Sequence, residues 1–155
     1  MIGIIFVICL FTIPTVFAQE YQDLGVKVET VADNLTVPWS IDWLPDGTIL
    51  FTERNGHLRI IQDDELLEEP LLSFGVGGVE GGMLGMAVDP KFEENNFIYL
   101  YYTYDENNNI WNRVSRFIFE NNKLKDEKNL LDNIPAARFH DGGRIKFGPD
   151  KKLYI

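Results

Sequence analysis

Residues 41–54 read IDWLPDGTILFTER, two short apolar runs on either side of a proline, an aspartate and a glycine. Ile41 and Trp43 precede this turn, and Ile49 and Phe51 follow it. Apolar residues at alternate positions are typical of strands, since successive side chains point to opposite faces of a sheet. Pro-Asp-Gly is a strong turn signal, because proline presets its φ angle and glycine accepts a positive one. The stretch therefore predicts a β-hairpin.

The same plan occurs twice more along the chain. Residues 85–103 read GMAVDPKFEENNFIYLYYT, and residues 144–155 read RIKFGPDKKLYI. Each copy has an apolar strand, a turn that pairs aspartate with proline, and a second strand of β-branched and aromatic residues. The turn prolines, Pro45, Pro90 and Pro149, lie at spacings in or a little above the range of about 40–50 residues per unit that is typical of propeller blades. We therefore predict an all-β fold, a β-propeller, with a β-sandwich lacking a true repeat as the alternative.

The rest of the chain also predicts strands and turns, and little of it has a helical pattern. Residues 57–69, HLRIIQDDELLEE, predict a strand and a turn. Residues 97–124, FIYLYYTYDENNNIWNRVSRFIFENNKL, predict two long strands with turns at DENNN and ENNK.

Three units are too few to close a ring, because propellers have roughly four to eight blades. The final residues, KKLYI, lie within an apolar strand. We therefore expect residues 19–155 to be the N-terminal part of a longer propeller domain, about its first three blades, truncated at the C-terminus. Such a piece is expected to be inactive by itself.

Composition and charge narrow the classes of partner. The chain has 155 residues, of which 45% are hydrophobic and 25% charged, enough apolar content for a sizeable core. Its formal net charge is −10. An acidic surface repels phosphate backbones, so we expect no nucleic-acid partner.

The N-terminus predicts export. Residues 1–18 are uncharged and mostly apolar, with the small residues Val16 and Ala18 at the positions that a signal peptidase reads. We predict a signal peptide cleaved after Ala18 and a secreted protein, periplasmic or extracellular; the alternative is an uncleaved membrane anchor. The only cysteine, Cys9, lies inside this segment, so the mature chain would have neither a disulfide nor a thiolate metal site.

A glycine-rich stretch, FGVGGVEGGMLGMAVDP at residues 74–90, is a candidate ligand loop. It lacks the Gly-Lys-Ser/Thr ending of a phosphate-binding loop and the strand–helix context of a dinucleotide site. One interpretation is a loop whose backbone lies close to a ligand, with Glu80 projecting from it. The other is a flexible connection between blades.

The sequence HDGGR at residues 140–144 is the candidate chemical motif. Histidine titrates near neutral pH, so His140 in an exposed glycine-rich loop suits a general base. Arg144 can bind a carboxylate of a cofactor through two hydrogen bonds. Asp141 can bind a substrate hydroxyl or orient the imidazole. The alternative is a turn histidine without a chemical role, which is how we interpret His57, the other histidine.

Taken in order, VPWSIDWLPDGTILFTER, GGVEGGMLGMAVDPKF, FIYLYYTY and FHDGGRIKFGPDKKLYI resemble the soluble glucose/sorbosone dehydrogenases. These are six-bladed propellers that oxidise aldose sugars with pyrroloquinoline quinone (PQQ) and pass the electrons to an external acceptor. The resemblance covers about residues 28–155 but only the N-terminal part of the family's length. It implies that the calcium ligands and most of the residues that hold PQQ lie beyond residue 155. It also implies that this chain itself contributes no metal ligand.

The resemblance also implies roles for single residues. His140 matches the histidine that takes the proton of the sugar's anomeric hydroxyl while hydride passes to the quinone. Arg144 belongs to the same motif, and Glu80 stands where well-studied members have a glutamine facing the site. We therefore expect His140 to be catalytic, Glu80 and Arg144 to lie at the cofactor, and Asp141 to contact substrate. Phe139 replaces an aspartate that some members carry.

Two other classes of function stay open on the sequence. One is a propeller without redox activity that binds a sugar or a protein. The other is a calcium-dependent lactonase-type propeller, which needs a set of acidic and amide ligands that the chain does not clearly show.

Overall fold

The computed structural model describes residues 27–155, and the predicted signal peptide lies outside these residues. Three antiparallel sheets and one short helix make up the described part. The first sheet has five strands, β1 to β5, in the spatial order β1-β2-β3-β4 with β5 also paired to β3. Its strands are β1 Pro38–Trp43, β2 Ile49–Glu53, β3 His57–Gln62, β4 Glu65–Leu66 and β5 Leu72–Ser73.

The predicted hairpin at residues 41–54 is confirmed. Ile41 pairs with Phe51, and Trp43 pairs with Ile49. In the turn, the N–H of Gly47 donates to the carbonyl of Leu44 at 3.0 Å, with the glycine at a φ of 91°. Such a φ disfavours residues with a side chain, which explains why a glycine ends the Pro-Asp-Gly sequence.

The second sheet is a four-stranded meander in the order β6-β7-β8-β9. Pairs of asparagines with positive φ form its two tight turns, Asn107-Asn108 and Asn121-Asn122, as the asparagine-rich turn signals predict. A four-residue helix, α1 Phe92–Asn95, connects the first two strands. The strands are β6 Met83–Val88, β7 Phe97–Glu106, β8 Asn109–Glu120 and β9 Lys123–Pro135.

The third copy of the repeat forms a two-stranded hairpin, β10 Lys146–Phe147 and β11 Leu153–Tyr154. The described residues thus form two sheets of four or five strands and a third sheet of two. This arrangement confirms the all-β prediction of a partial propeller, with the third unit present only as its first hairpin.

Two apolar clusters hold the three sheets together. Leu50, Leu58 and Ile60 of the first sheet pack against Met83 and Leu100 of the second, and all five are fully buried. Burying one such side chain stabilises the fold by about 1.5–3 kcal/mol. The opposite face of the second sheet packs against the third in a smaller cluster of Leu84, Ala87, Tyr101, Val114 and Ile145. Strands β6, β7 and β8 are therefore buried on both faces, as in a blade between two neighbours, whereas β9 is mostly exposed.

The first sheet is exposed along β1, on the face opposite to the second sheet. Trp39, Ile41 and Trp43 point away from the second sheet and are 37%, 49% and 52% exposed.

Within residues 27–155, no helix has the length and apolar content that a membrane span requires.

Candidate functional site

The candidate site lies where three connections meet at one end of the second sheet. Because neighbouring strands of a meander are antiparallel, one end of the sheet holds the start of β6, the turn between β7 and β8, and the end of β9. The glycine-rich loop enters β6 there, and residues 136–145 leave β9 there. The topology therefore brings together the two motifs that the sequence singled out, although they are far apart along the chain.

Glu80 and His140 are in direct contact. The backbone N–H of His140 donates to Oε2 of Glu80 at 3.0 Å, and the N–H of Glu80 donates to the carbonyl of Arg138 at 3.4 Å. His140 is exposed and has a φ of 66°, a left-handed conformation that is costly for a residue with a side chain. The Glu80 carboxylate thus stabilises the backbone that presents the imidazole.

Asp141 faces the protein interior. Its Oδ1 accepts hydrogen bonds from the N–H of Ala137 at 2.7 Å and from Nδ2 of Asn112 at 3.5 Å. Its Oδ2 is buried without a hydrogen-bond partner among the described residues. The hydroxyl of Tyr101 donates to the Asp141 carbonyl at 3.1 Å, and burial together with the Asp141 charge raises the pKa of that tyrosine. These contacts anchor the loop through Asp141, and the contact between Asp141 and substrate stays a prediction.

Arg144 extends towards the first sheet. Its Nη1 donates to Oγ of Ser40 in β1 at 3.4 Å, and the same oxygen accepts the N–H of Met86 at 3.3 Å. The arginine remains exposed. It therefore lies beside the first strands of the first and second sheets, with its charge open to an anionic ligand.

The glycines of the two motifs pack against each other. A Cβ on Gly85 would lie 2.0 Å from the carbonyl oxygen of Gly143. A Cβ on Gly143 would lie 2.8 Å from the side chain of Leu84 and 3.0 Å from that of Tyr101. Close approach of the two backbones, rather than flexibility, thus explains the glycines at these two positions.

The remaining histidine and the aromatic residue before His140 differ in environment. His57 is the half-buried first residue of β3 and pairs with Glu53 and Ser73 on neighbouring strands. That position agrees with a structural role. Phe139 is 46% exposed, with the guanidinium of Arg138 lying 5.4 Å from its ring centre.

Sequence reasoning missed Asn112, which is buried beneath the His140 loop. Its side chain contacts Asp141 on one side and Thr103 on the other. A signal was available, because Asn112 and Val114 occupy alternate positions of β8 that both face inwards. A polar residue in the buried register of a strand usually has a specific hydrogen-bonding role.

The described residues fit an anionic quinone in part. The exposed imidazole of His140 and guanidinium of Arg144 flank Gly142, and a Cβ on this glycine would meet no atom within 4 Å. Space is therefore available above the loop, beside a cationic group. Glu80 brings a negative charge, but one of its carboxylate oxygens already accepts the His140 N–H. Among residues 27–155, no three His, Cys, Asp or Glu side chains are arranged to hold a metal ion.

Comparison with known proteins identifies relatives of this chain. The family model described as Glucose / Sorbosone dehydrogenase matches residues 35–155. An uncharacterized protein of Synechocystis is 34% identical, with 84% of this chain and 34% of that protein covered. Quinoprotein glucose dehydrogenase B of Acinetobacter calcoaceticus is 29% identical, with 91% of this chain and 32% of that protein covered. Hedgehog-interacting protein of Mus musculus is 28% identical, with 89% of this chain and 23% of that protein covered. The chain thus spans about a third of the length of the first two relatives.

Solved structures of similar fold include sugar dehydrogenases. A protein from Thermus thermophilus described as an oxidoreductase (glucose dehydrogenase) by assignment superposes with a TM-score of 0.77 at 36% identity, covering 84% of this chain and 40% of that one. The PQQ-bound form of aldose sugar dehydrogenase from Streptomyces coelicolor superposes with a TM-score of 0.67 at 30% identity, covering 81% and 39%. The family model, the relatives and the folds converge, and the chain belongs to the glucose/sorbosone dehydrogenase family.

Proposed function

We propose that the whole protein is a PQQ-dependent dehydrogenase that oxidises aldose sugars to lactones and passes the electrons to an external acceptor. The observation that carries this proposal is the exposed His140, held by Glu80 on an anchored loop beside open space. Support comes from membership of the family and from the similarity to a quinoprotein and to a PQQ-bound sugar dehydrogenase.

In this proposal, the chain's residues move one proton and hold charge. His140 accepts the proton of the anomeric hydroxyl while the hydrogen on the same carbon leaves as hydride, so the carbon becomes the carbonyl of a lactone. When bound, PQQ supplies the hydride acceptor. Arg144 offers a guanidinium to a carboxylate of the cofactor, and Glu80 fixes the loop backbone rather than taking part in the chemistry. General-base assistance of this kind contributes about 10²–10⁴-fold in rate.

The decisive test is reconstitution of the whole protein. We expect that adding PQQ and calcium gives oxidation of aldoses with an artificial electron acceptor, and that omitting PQQ abolishes it. The calcium ligands are expected beyond residue 155. Failure of the reconstituted protein to oxidise any aldose, with PQQ shown to be bound by its absorbance, would refute the proposal.

One observation favours a second candidate, a propeller that binds a protein and has no redox activity. Hedgehog-interacting protein matches nearly the same part of this chain as the quinoprotein does, at 28% and 29% identity respectively. The reconstitution separates the two candidates, because a binding propeller would neither take up PQQ nor oxidise sugars. A calcium-dependent lactonase has no supporting group of metal ligands within residues 27–155.

We also propose that the protein is exported, on the basis of the apolar segment before Gln19 and the small residues Val16 and Ala18. Mass spectrometry of the natively produced protein should find Gln19 as the first residue. Retention of residues 1–18 would instead indicate an uncleaved membrane anchor.

A further inference from the structure

A chain of polar side chains runs beneath the His140 loop. Oγ1 of Thr103 donates to Oδ1 of Asn112 at 2.8 Å, and Nδ2 of Asn112 donates to Oδ1 of Asp141 at 3.5 Å. Thr103 is 0% exposed and Asn112 is 1% exposed. Chemistry fixes the orientation of this amide, since the opposite one would place its oxygen against the Asp141 carboxylate. These hydrogen bonds thus link the last part of β7 and the first part of β8 to the loop that follows β9.

We infer that Asn112 is a positioning residue for His140 and acts through Asp141. This inference rests on the proposed role of His140 as the general base. It assigns Asp141 to the anchor of the loop rather than to the substrate.

The contacts of Asp141 explain how the anchor works. Its Oδ1 accepts the N–H of Ala137, which closes residues 137–141 into a tight loop, and its carbonyl accepts the Tyr101 hydroxyl. With Asp141 fixed towards the interior, the preceding residue is placed on the exposed side, where His140 has its left-handed conformation. The Glu80 carboxylate holds the His140 N–H from the other side of the loop. The backbone of His140 is therefore held by the Glu80 carboxylate and by the anchored Asp141 that follows it.

The polar character of the anchor points to positioning rather than to stability alone. Burying a carboxylate oxygen such as Asp141 Oδ2 without a partner carries a desolvation cost, and a buried charge contributes less stability than well-packed apolar side chains do. Hydrogen bonds are directional, so they fix one loop conformation where apolar contacts would accept several.

An exchange of the two side chains tests the inference in the whole, PQQ-loaded protein. Asn112→Asp removes the donor and sets two carboxylates against each other at about the same separation. The double variant Asn112→Asp/Asp141→Asn removes the repulsion between two carboxylates but does not restore the hydrogen bond, because Oδ1 at position 141 faces both the Ala137 N–H and the side chain at 112. Asp141→Asn alone completes the double-mutant cycle. Ser115→Ala is the matched control, because it removes buried hydrogen bonds on the same strand but away from the loop.

Two measurements are made on each variant: hydrogen exchange of the peptide that covers residues 136–144, and kcat and KM for an aldose. In Asn112→Asp we expect exchange of this peptide to rise about tenfold or more, the equivalent of one lost hydrogen bond to a charged group. We expect kcat to fall by a similar factor with little change in KM. The double variant should recover only part of both losses, because it relieves the charge repulsion without restoring the hydrogen bond, and Ser115→Ala should change neither.

Three outcomes would overturn the inference. They are unchanged exchange in Asn112→Asp, a double variant no better than Asn112→Asp, and a loosened loop that leaves kcat unchanged. Failure of the proposed function looks different, because the wild-type protein would then not oxidise aldoses at all. Hydrogen exchange would still decide in that case whether Asn112 and Asp141 anchor the loop.

Discussion

His140→Gln in the whole protein is expected to lower kcat for aldose oxidation about 10²–10⁴-fold, with PQQ binding retained. Glutamine keeps much of the size and polarity of histidine but cannot accept the hydroxyl proton. The side chain at 140 is exposed, and the loop is held through the His140 backbone N–H and through Asp141, so the substitution leaves those contacts in place. Steady-state kinetics and PQQ titration of the same preparation measure the two effects separately.

His57→Gln is the matched control, because it makes the same chemical change at the first residue of β3. It should leave kcat within a few-fold of wild type. If kcat of His140→Gln stays within a few-fold of wild type, His140 is a turn residue and the base lies elsewhere.

The local parts of the fold were predictable from the sequence. The Pro-Asp-Gly hairpin and the asparagine turns of the second sheet depend on residues that lie next to each other, and their φ requirements select glycine and asparagine directly. Alternation of apolar residues then fixes which faces are buried. The extent of the third unit was less predictable, because two-residue strands such as those at Lys146–Phe147 and Leu153–Tyr154 leave too little sequence for a pattern.

The candidate site was predictable only in its residue types. HDGGR and the glycine-rich loop stand out by composition, but their contact depends on the strand order of the second sheet. The direction of the Asp141 side chain depends on Asn112 and Ala137, which no local pattern relates to it. The contact of Glu80 with a backbone N–H, rather than with a side chain, depends likewise on the meeting of two distant loops.

The packing of the two glycine motifs predicts that Gly85→Ala damages both stability and catalysis. The new Cβ would lie 2.0 Å from the Gly143 carbonyl oxygen, and real Cβ atoms essentially never lie closer than 3.0 Å to another heavy atom. β6 is buried between two clusters and cannot retreat, so the loop that carries His140 must move by about 1 Å. Overpacking of this kind costs about 1–3 kcal/mol of unfolding free energy. A displacement of about 1 Å at a catalytic group costs on the order of 10²-fold in rate.

Gly75→Ala separates this steric effect from a general effect of replacing glycine. A Cβ on Gly75 would meet no atom within 4 Å, and its φ lies outside the range that excludes side chains. Urea unfolding and kcat measured on the whole protein should therefore show a lower midpoint and a lower rate for Gly85→Ala, with Gly75→Ala close to wild type. A Gly85→Ala variant with wild-type stability and rate would mean that the HDGGR loop does not lie against β6. In that case the juxtaposition of the two motifs, on which the proposed site depends, would be wrong.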